Sequence, residues 1–206
     1  MERWKKDISD NWKLIAIALF FLLAAGIFNF VAGSYVDKSA SVQSTDIILD
    51  NIPAVDLSWL YGYGALIIVL VLLFYPLIFK PKELHATIIQ FSILILVRSF
   101  FISLTHLKAP ADAIFSNFSI LDQIILFHND LFFSAHTAIP FLGFLMFRKE
   151  KVEIFFAIST VVMATTVLLM HAHYSIDVFA AFFIAYGSYK VGQIVLKRIH
   201  AWHGKN

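Results

Sequence analysis

Two short segments of this chain place histidine and aspartate at the ends of long apolar stretches. The first is F-S-A-H-T at residues 133–137, which contains His136. The second is H-Y-S-I-D at residues 173–177, which begins with His173 and ends with Asp177. Ionisable side chains are costly at membrane depth, so they usually mark a functional site. If both segments face the same side of a membrane, their side chains can form one catalytic site.

The residue types in and near these segments suit phosphate chemistry. His173 and Asp177 have the i, i+4 spacing that brings side chains to one face of a helix. An aspartate that accepts from one imidazole nitrogen fixes the tautomer and leaves the other nitrogen as a base or nucleophile. His136 is a candidate to protonate a leaving alkoxide. Arg98 offers a planar fork of donors for a phosphate, and Ser134 with nearby backbone amides could also hold an anion.

The composition is typical of an integral membrane protein. The chain has 206 residues, of which 60% are hydrophobic and 15% are charged, whereas about 25% of the residues in soluble domains are charged. A net charge of +2 gives no indication of a nucleic-acid partner, and the absence of cysteine excludes thiol chemistry and disulfides. The first apolar run is long enough to span and lacks a cleavage site, so we expect no cleavable signal peptide.

We predict an all-α integral membrane protein in which residues 1–206 form a single domain of six transmembrane helices. A helix needs about 20 mostly apolar residues to cross the hydrocarbon core. The third, fourth and sixth predicted helices carry Arg98, His136 and Asp177 respectively. The six helices are expected at about residues 14–36, 57–79, 84–107, 131–147, 154–171 and 174–196.

Lysine and arginine are concentrated in alternate loops of this predicted bundle. Thirteen of the sixteen fall on the side of the two termini, and such an excess is typical of cytoplasmic loops. We therefore expect both termini in the cytoplasm and residues 133–137 and 173–177 on the extracytoplasmic side. Arg98 follows Lys82 by 16 residues, or about 24 Å of helix, so we expect it in the outer third of the membrane. The thirteen are Arg3, Lys5, Lys6, Lys13, Lys80, Lys82, Arg148, Lys149, Lys151, Lys190, Lys197, Arg198 and Lys205.

Three segments of the chain resemble sphingomyelin synthases. Residues 130–137, D-L-F-F-S-A-H-T, resemble the D-x-L-x-S-G-H-T stretch of that family, and residues 173–178, H-Y-S-I-D-V, resemble its H-Y-[ST]-x-D-V stretch. A looser similarity joins Arg98 and residues 105–110 to the family's R…T-x-L-x-x-P segment. These enzymes belong to the type 2 phosphatidic-acid phosphatase superfamily. Their six-helix topology also matches, so the resemblance covers most of the chain.

The resemblance implies a role for each residue of the two motifs. In the family, the histidine of H-Y-x-x-D takes the phosphate group as a phosphohistidine, its aspartate orients it, and the S-G-H histidine acts as acid and base. These roles would fall on His173, Asp177 and His136. Ala135 stands where the family has glycine, and its methyl group could narrow the approach of the backbone to phosphate. The K-x6-R-P and S-R motifs of the lipid phosphatases are absent. Val167 occupies the place of the arginine in the S-R pair.

These features predict a phospholipid headgroup enzyme. One arginine and two histidines suit a phosphodiester monoanion better than a phosphomonoester dianion. We therefore expect a membrane lipid phosphotransferase or a phospholipase C-like phosphodiesterase that needs no metal or cofactor. Its donor would be a phospholipid, its acceptor a lipid alcohol or water, and its location a prokaryotic cell membrane. The sequence does not indicate an oligomeric state.

Three other functions stay open at this point. The first is a lipid phosphate phosphatase of the phosphatidic-acid phosphatase type. The second is a zinc lipid hydrolase that uses His136, His171, His173 and an aspartate, since His-x-His can chelate a metal. The third is a lipid-binding or transport protein without catalytic activity, in which the intramembrane polar residues serve binding alone.

Several residues beside the motifs are further candidates for substrate contact. Asp130 matches the family pattern, although an aspartate in an outer loop is often solvated or caps a helix. His128 could line the entrance to the site, and Tyr174 could contact substrate or belong to the aromatic belt at the membrane surface. Arg98 could alternatively be the ion-pair partner of Asp130 or Asp177.

Three features at the same end of the predicted bundle can be explained without a catalytic role. His171 is expected to be a polar neighbour of the site, and Tyr61 an aromatic-belt residue. The long outer loop from residue 33 to residue 58 mixes acidic and apolar residues. It could shape the lipid entrance, or it could be a flexible cover.

Overall fold

The computed structural model of this chain describes residues 2–115 and 131–203. Within these ranges the fold is helical, and the connections include short 3₁₀ turns at Leu49–Asn51 and Pro81–Glu83. The helices are α1 (Glu2–Asp10), α2 (Trp12–Ser39), α3 (Ser58–Phe79), α4 (Leu84–Ile102), α5 (Ala135–Met146), α6 (Val152–Leu169) and α7 (Ser175–His203).

Five of the described helices are long and apolar enough to cross a membrane: α2, α3, α4, α6 and α7. The prediction of an all-helical chain with several membrane-spanning helices is thereby confirmed. Large apolar side chains cover the outside of these helices, as in Phe20 at 70% exposure and Phe183 at 80%. A lipid environment accounts for such a surface, because a soluble protein rarely exposes large contiguous apolar patches.

The fourth predicted helix is shorter than expected. We predicted a helix over residues 131–147, but α5 begins at Ala135 and has 12 residues, or about 18 Å of helix against a hydrocarbon core of about 30 Å. Ser134 has extended backbone angles, because its amide donates to the carbonyl of Asp177 at 3.1 Å instead of entering a helix. The apolar run L-F-F before it therefore enters the bundle as non-helical chain.

The third predicted helix also ends early. We expected it to reach residue 107, but α4 ends at Ile102. The chain that follows is drawn into a short pairing with the segment after α2, where the Ser41 amide donates to the His106 carbonyl at 3.0 Å. The amide of Lys108 donates to the carbonyl of Val42 at 2.8 Å. These bonds satisfy backbone groups that a longer helix would have satisfied internally.

The loop after α2, the end of α4, the start of α5 and the α6–α7 junction meet at one end of the bundle, which we call the site end. The amide of Val55 donates to the carbonyl of Leu169 at 2.7 Å, and the amide of Ile114 donates to that of Met170 at 2.9 Å. The loop after α2, through Val55, and the described chain after α4, through Ile114, are therefore both bonded to the junction that carries the second motif, and the loop is not a loose cover.

Charged side chains and α1 hold the opposite end together. Lys80, in the turn between α3 and α4, lies 2.5 Å from Glu150 in the α5–α6 turn. The hydrogen bond to Glu150 raises the pKa of Lys80 above its ordinary value. Trp4 of α1 donates its indole N–H to the carbonyl of Leu77 at 2.7 Å. This helix, which we did not predict, packs across the α3–α4 turn.

α4 is the most buried of the five long helices, and it packs against α2 and α7. A glycine allows its close approach to α7: a Cβ atom on Gly192 would lie too close to Oε1 of the Gln90 side chain. Gln90 is buried, and its Nε2 donates to the carbonyl of Tyr189 at 3.3 Å. The two helices that carry Arg98 and Asp177 are thus held close together in mid-bundle.

Candidate active site

One buried layer sets the depth of the candidate site. The layer takes one side chain each from α4, α5 and α7: Leu94, Ala138 and Ala181. α4 runs toward the site end, whereas α5 and α7 start there. One helical turn from the layer toward the site end leads to Arg98, Ser134 and Asp177. Residues from three separate segments of the sequence therefore reach the same level of the bundle.

His173 and Asp177 form a buried pair at the start of α7. His173 Nδ1 lies 3.2 Å from Asp177 Oδ2, and their side chains are 3% and 1% exposed. His173 precedes the helix, so the contact crosses the helix start and does not follow a helix face as predicted. The same Oδ2 accepts the backbone N–H of Tyr174 at 3.3 Å, as in a capping box. Contact through Nδ1 leaves Nε2 of His173 as the nitrogen for a substrate.

His136 lies in the first turn of α5 and is buried. Its ring stacks on Tyr61, with the ring centroids 3.8 Å apart and the planes inclined by 28°. It is also within electrostatic range of His173 and Arg98. The structure therefore brings the two predicted histidines and the predicted arginine into one neighbourhood. Tyr61 gains a specific ring contact that its interpretation as an aromatic-belt residue did not include.

Arg98 is buried, with 5% of its surface exposed. Its Nη1 donates to Oδ1 of Asn29 at 3.1 Å. A buried guanidinium needs such partners, because an unsatisfied buried charge is very costly. Asn29 was missed in the sequence, although an amide in the middle of the apolar α2 is a signal of the kind that marks a polar contact inside a bundle.

Two buried hydroxyl groups lie at the start of α5. Ser134 and Thr137 are fully buried, and their hydroxyl oxygens have no hydrogen-bond partner among the described residues. Buried hydroxyls normally have partners, so each unsatisfied one requires an explanation. A bound anion would supply acceptors for both, and the start of a helix favours negative charge. Ser134 was predicted for this role, whereas Thr137 was not.

Tyr174 holds loops together at the site end. Its hydroxyl donates to the carbonyl of Lys108 at 2.9 Å and accepts the amide of Ser44 at 3.0 Å. The predicted substrate contact would have to compete with these two bonds. His128 and Asp130, the other two predicted substrate-binding residues, lie outside the described ranges.

Asp46, in the loop after α2, contacts the start of α7. Its Oδ2 accepts the amide of Ser175 at 2.6 Å, while Oδ1 accepts the amides of Ile48 at 2.9 Å and Leu49 at 3.2 Å. Burial opposes ionisation of this carboxyl, but the hydrogen bonds outweigh it and hold the pKa of Asp46 below its ordinary value. No pattern in the sequence distinguishes Asp46 from the other acidic residues of the outer loops.

His171 ends α6 in the left-handed region, with φ of 51°. Its amide donates to Leu168 at 3.0 Å and that of Ala172 donates to Val167 at 3.1 Å, which is the Schellman pattern. The buried His171 ring lies 2.7 Å from Oδ2 of Asp112, and this contact lowers the pKa of the Asp112 carboxyl. Glycine usually occupies such a position, so the histidine is held there by its surroundings.

His171 and His173 are not placed to bind one metal ion together. His171 and His173 face different aspartates, Asp112 and Asp177. Within the ranges that the structure describes, no three His, Cys, Asp or Glu side chains lie close enough together to hold a metal ion. The chelating arrangement that the zinc-hydrolase alternative requires is therefore not found among these residues.

No protein-family model and no curated protein sequence matches this chain. What the described site offers chemically is an imidazole paired with a carboxylate, a second imidazole nearby, a buried guanidinium and two buried hydroxyls. This set can bind an anion, attack it with nitrogen and transfer a proton to a departing oxygen.

Proposed function

We propose that this protein is a membrane lipid phosphotransferase or phosphodiesterase that removes phospholipid headgroups through a phosphohistidine. The observation that carries the proposal is the buried contact of His173 Nδ1 with Asp177 Oδ2 at 3.2 Å, with His136 and Arg98 nearby. An imidazole oriented in this way is an activated nucleophile. The resemblance of residues 130–137 and 173–178 to sphingomyelin synthases supports the same chemistry.

The reaction has two steps. First, the electron pair of His173 Nε2 forms a bond to phosphorus, the bond from phosphorus to the diacylglycerol oxygen breaks, and His136 gives that oxygen its proton. Second, the hydroxyl of a lipid alcohol or water gives its proton to His136 while its oxygen bonds to phosphorus, and the phosphorus–nitrogen bond breaks. Asp177 keeps the Nδ1 proton in place and stabilises the positive charge on His173 in both steps.

Charge favours a diester over a monoester. In the described part of the site, the basic side chains near His136 are Arg98 and His173, and His173 has to be neutral to attack phosphorus. A phosphodiester carries one negative charge, whereas a phosphomonoester carries about 1.5 to 2 at neutral pH. A monoester would therefore need more cations than these to be desolvated at the same cost. The lipid phosphate phosphatase stays as the alternative outcome of the test below.

The membrane topology belongs to the same proposal. α5 and residues 131–134 would form a sixth, partly non-helical crossing. Leu131, Phe133 and Ser134 are buried in protein, which is the condition under which non-helical backbone is tolerated at membrane depth. The basic turns around Lys80 and Lys149 lie at the end opposite the site, which under the positive-inside rule supports cytoplasmic termini and a site on the extracytoplasmic side. The proposed location is a prokaryotic cell membrane.

The test is a reaction of purified protein in detergent with phosphatidylcholine, phosphatidylethanolamine, phosphatidylglycerol or phosphatidic acid, with and without EDTA. Ceramide or diacylglycerol is added as acceptor, and all products are followed by mass spectrometry. The variants are His173→Ala and the matched control His106→Ala, which removes an exposed histidine at the same end of the bundle.

The proposal expects diacylglycerol and a free or transferred phospho-headgroup, insensitive to EDTA, absent in His173→Ala and retained in His106→Ala. Phosphate released from phosphatidic acid alone would assign the protein to the phosphatase class. Loss of turnover in EDTA would favour the zinc hydrolase. Absence of any turnover, with no trapped phosphohistidine, would favour a lipid-binding or transport protein.

A further inference from the structure

The first turn of α7 donates a backbone hydrogen bond to a carboxylate far away in the sequence. The first amides of a helix have no partner within the helix and need acceptors from elsewhere. Tyr174, at the residue before α7, has no side-chain oxygen placed to cap it, because its hydroxyl is bound to Lys108 and Ser44. Asp46 instead accepts the amide of Ser175 at 2.6 Å across 129 residues of sequence.

The start of α7 is thus held by two carboxylates on adjacent amides. Asp177 Oδ2 accepts the amide of Tyr174 at 3.3 Å, and Asp46 Oδ2 accepts the next amide, that of Ser175. Both negative groups are favourable at a helix start, where the helix dipole is positive. The difference lies in what else each one touches: Asp177 contacts His173, whereas Asp46 contacts the loop after α2.

The geometry of His173 depends on this turn. Asp177 uses a single oxygen for both His173 Nδ1 and the amide of Tyr174. A shift or fraying of the first turn would therefore move the oxygen that orients the imidazole. The carbonyl of Asp177 also accepts the amide of Ser134 at 3.1 Å, so the same movement would reach the start of α5 and His136.

Hydrogen bonds within its own loop also hold the Asp46 carboxylate in place. Its second oxygen accepts the amides of Ile48 and Leu49 in its own loop, so the carboxylate has little freedom to turn away. The side chain is buried at 8% exposure, whereas the neighbouring Ile47 is 82% exposed. The loop therefore presents a rigid acceptor to α7 on one side and an apolar side chain to the surroundings on the other.

We propose that Asp46 is a positioning residue, which holds the first turn of α7 so that Asp177 and His173 keep the alignment needed for attack on phosphorus. The inference rests on the proposed function for its kinetic consequence, but its structural consequence can be measured independently. Asp46 touches neither His173 nor His136, so its effect on the reaction is transmitted through the backbone of α7.

Three variants test the inference: Asp46→Ala, Asp46→Asn and the matched control Asp50→Ala, which removes an exposed carboxylate from the same loop. For Asp46→Ala we expect kcat per folded molecule to fall by about 10- to 100-fold, the scale that misplacement of a reacting group produces, with an unchanged KM. Asp46→Asn keeps an oxygen that can accept from Ser175, so it should restore part of the loss. Asp50→Ala should behave as the unsubstituted protein.

Hydrogen exchange of the same proteins separates this inference from the proposed function. Peptides that cover residues 173–178 should exchange faster in Asp46→Ala than in Asp50→Ala, whether or not the protein turns over any lipid. If the unsubstituted protein has no turnover but this difference is found, the proposed reaction fails and the hold of Asp46 on α7 stands.

The inference is overturned by an unchanged exchange rate at the start of α7. It is also overturned by a normal kcat in the folded fraction of Asp46→Ala, because the residue would then act on stability alone. Should Asp46→Ala fail to fold, Asp46→Asn decides the question: a lower kcat at unchanged KM supports the positioning role, and a normal kcat refutes it.

Discussion

Replacement of Asp177 by asparagine and by alanine should give different losses. Oδ2 of Asp177 accepts from two donors, His173 Nδ1 at 3.2 Å and the amide of Tyr174 at 3.3 Å. Asparagine can put its carbonyl oxygen at this position and keep both bonds, so the Nδ1–H tautomer survives and only the negative charge is lost. Alanine removes the acceptor and leaves two buried donors without it.

The size of each loss follows from these contacts. A hydrogen bond to a charged group contributes about 1.5 to 3 kcal/mol, and about 1.36 kcal/mol corresponds to a tenfold change in rate. We therefore expect Asp177→Asn to lower kcat by about 10- to 100-fold. Asp177→Ala removes the acceptor of both hydrogen bonds, which at about 1.5 to 3 kcal/mol each sum to about 3 to 6 kcal/mol, so we expect a loss of about 10²- to 10⁴-fold.

Stability separates the two variants again. The unsatisfied amide of Tyr174 in Asp177→Ala should cost about 1 to 3 kcal/mol, or about 2 to 4 °C of Tm for each kcal/mol in a chain of this size. The assay is single-turnover formation of phosphohistidine together with thermal unfolding in detergent, with Asp50→Asn as the control. A wild-type rate in Asp177→Asn would refute the role of the charge, and equal losses in the two variants would refute the two-donor reasoning.

Three further tests address other contacts. Asn29→Ala removes an acceptor from the buried Arg98, and we expect KM for the phospholipid to rise by about tenfold, measured by steady-state kinetics. Gly192→Ala would put a Cβ atom too close to Oε1 of the buried Gln90 and should lower the free energy of unfolding by about 1 to 3 kcal/mol; adding Gln90→Ala should restore most of the Tm. His171→Gly should be more stable than His171→Ala by about 1 kcal/mol, or about 2 to 4 °C of Tm, because φ is 51° at that position; equal Tm values would contradict this.

The sequence predicted those helices that are determined by the hydropathy of their own residues. The apolar runs of α2, α3 and α6 fill the required length without internal charge, so hydropathy and length alone identify them. The spacing of His173 and Asp177 likewise limits how far apart the two side chains can lie, whether or not the backbone between them is helical. These features depend on neighbours within a few residues, which a sequence displays directly.

The features that the sequence did not predict depend on tertiary contacts. Residues 131–134 are apolar enough for a helix, and they leave it because the amide of Ser134 finds the carbonyl of Asp177. The contacts of Asn29 with Arg98, of Tyr61 with His136 and of Asp46 with Ser175 each join residues far apart in the chain. Helical periodicity contains no information about such pairs.

The position of the site within the bundle has a consequence for biosynthesis. The helices that carry Arg98 and Asp177, α4 and α7, are the two least apolar of the long helices. Each follows a more apolar helix after a short connection, residues 80–83 for α4 and residues 170–174 for α7. We therefore expect the more apolar partner to enter the lipid first during synthesis and to offer a protein surface to its companion, so that each polar helix would insert as half of a hairpin. In this order of helices, Arg98 and Asp177 would each contact a neighbouring helix during insertion, before the complete site has formed.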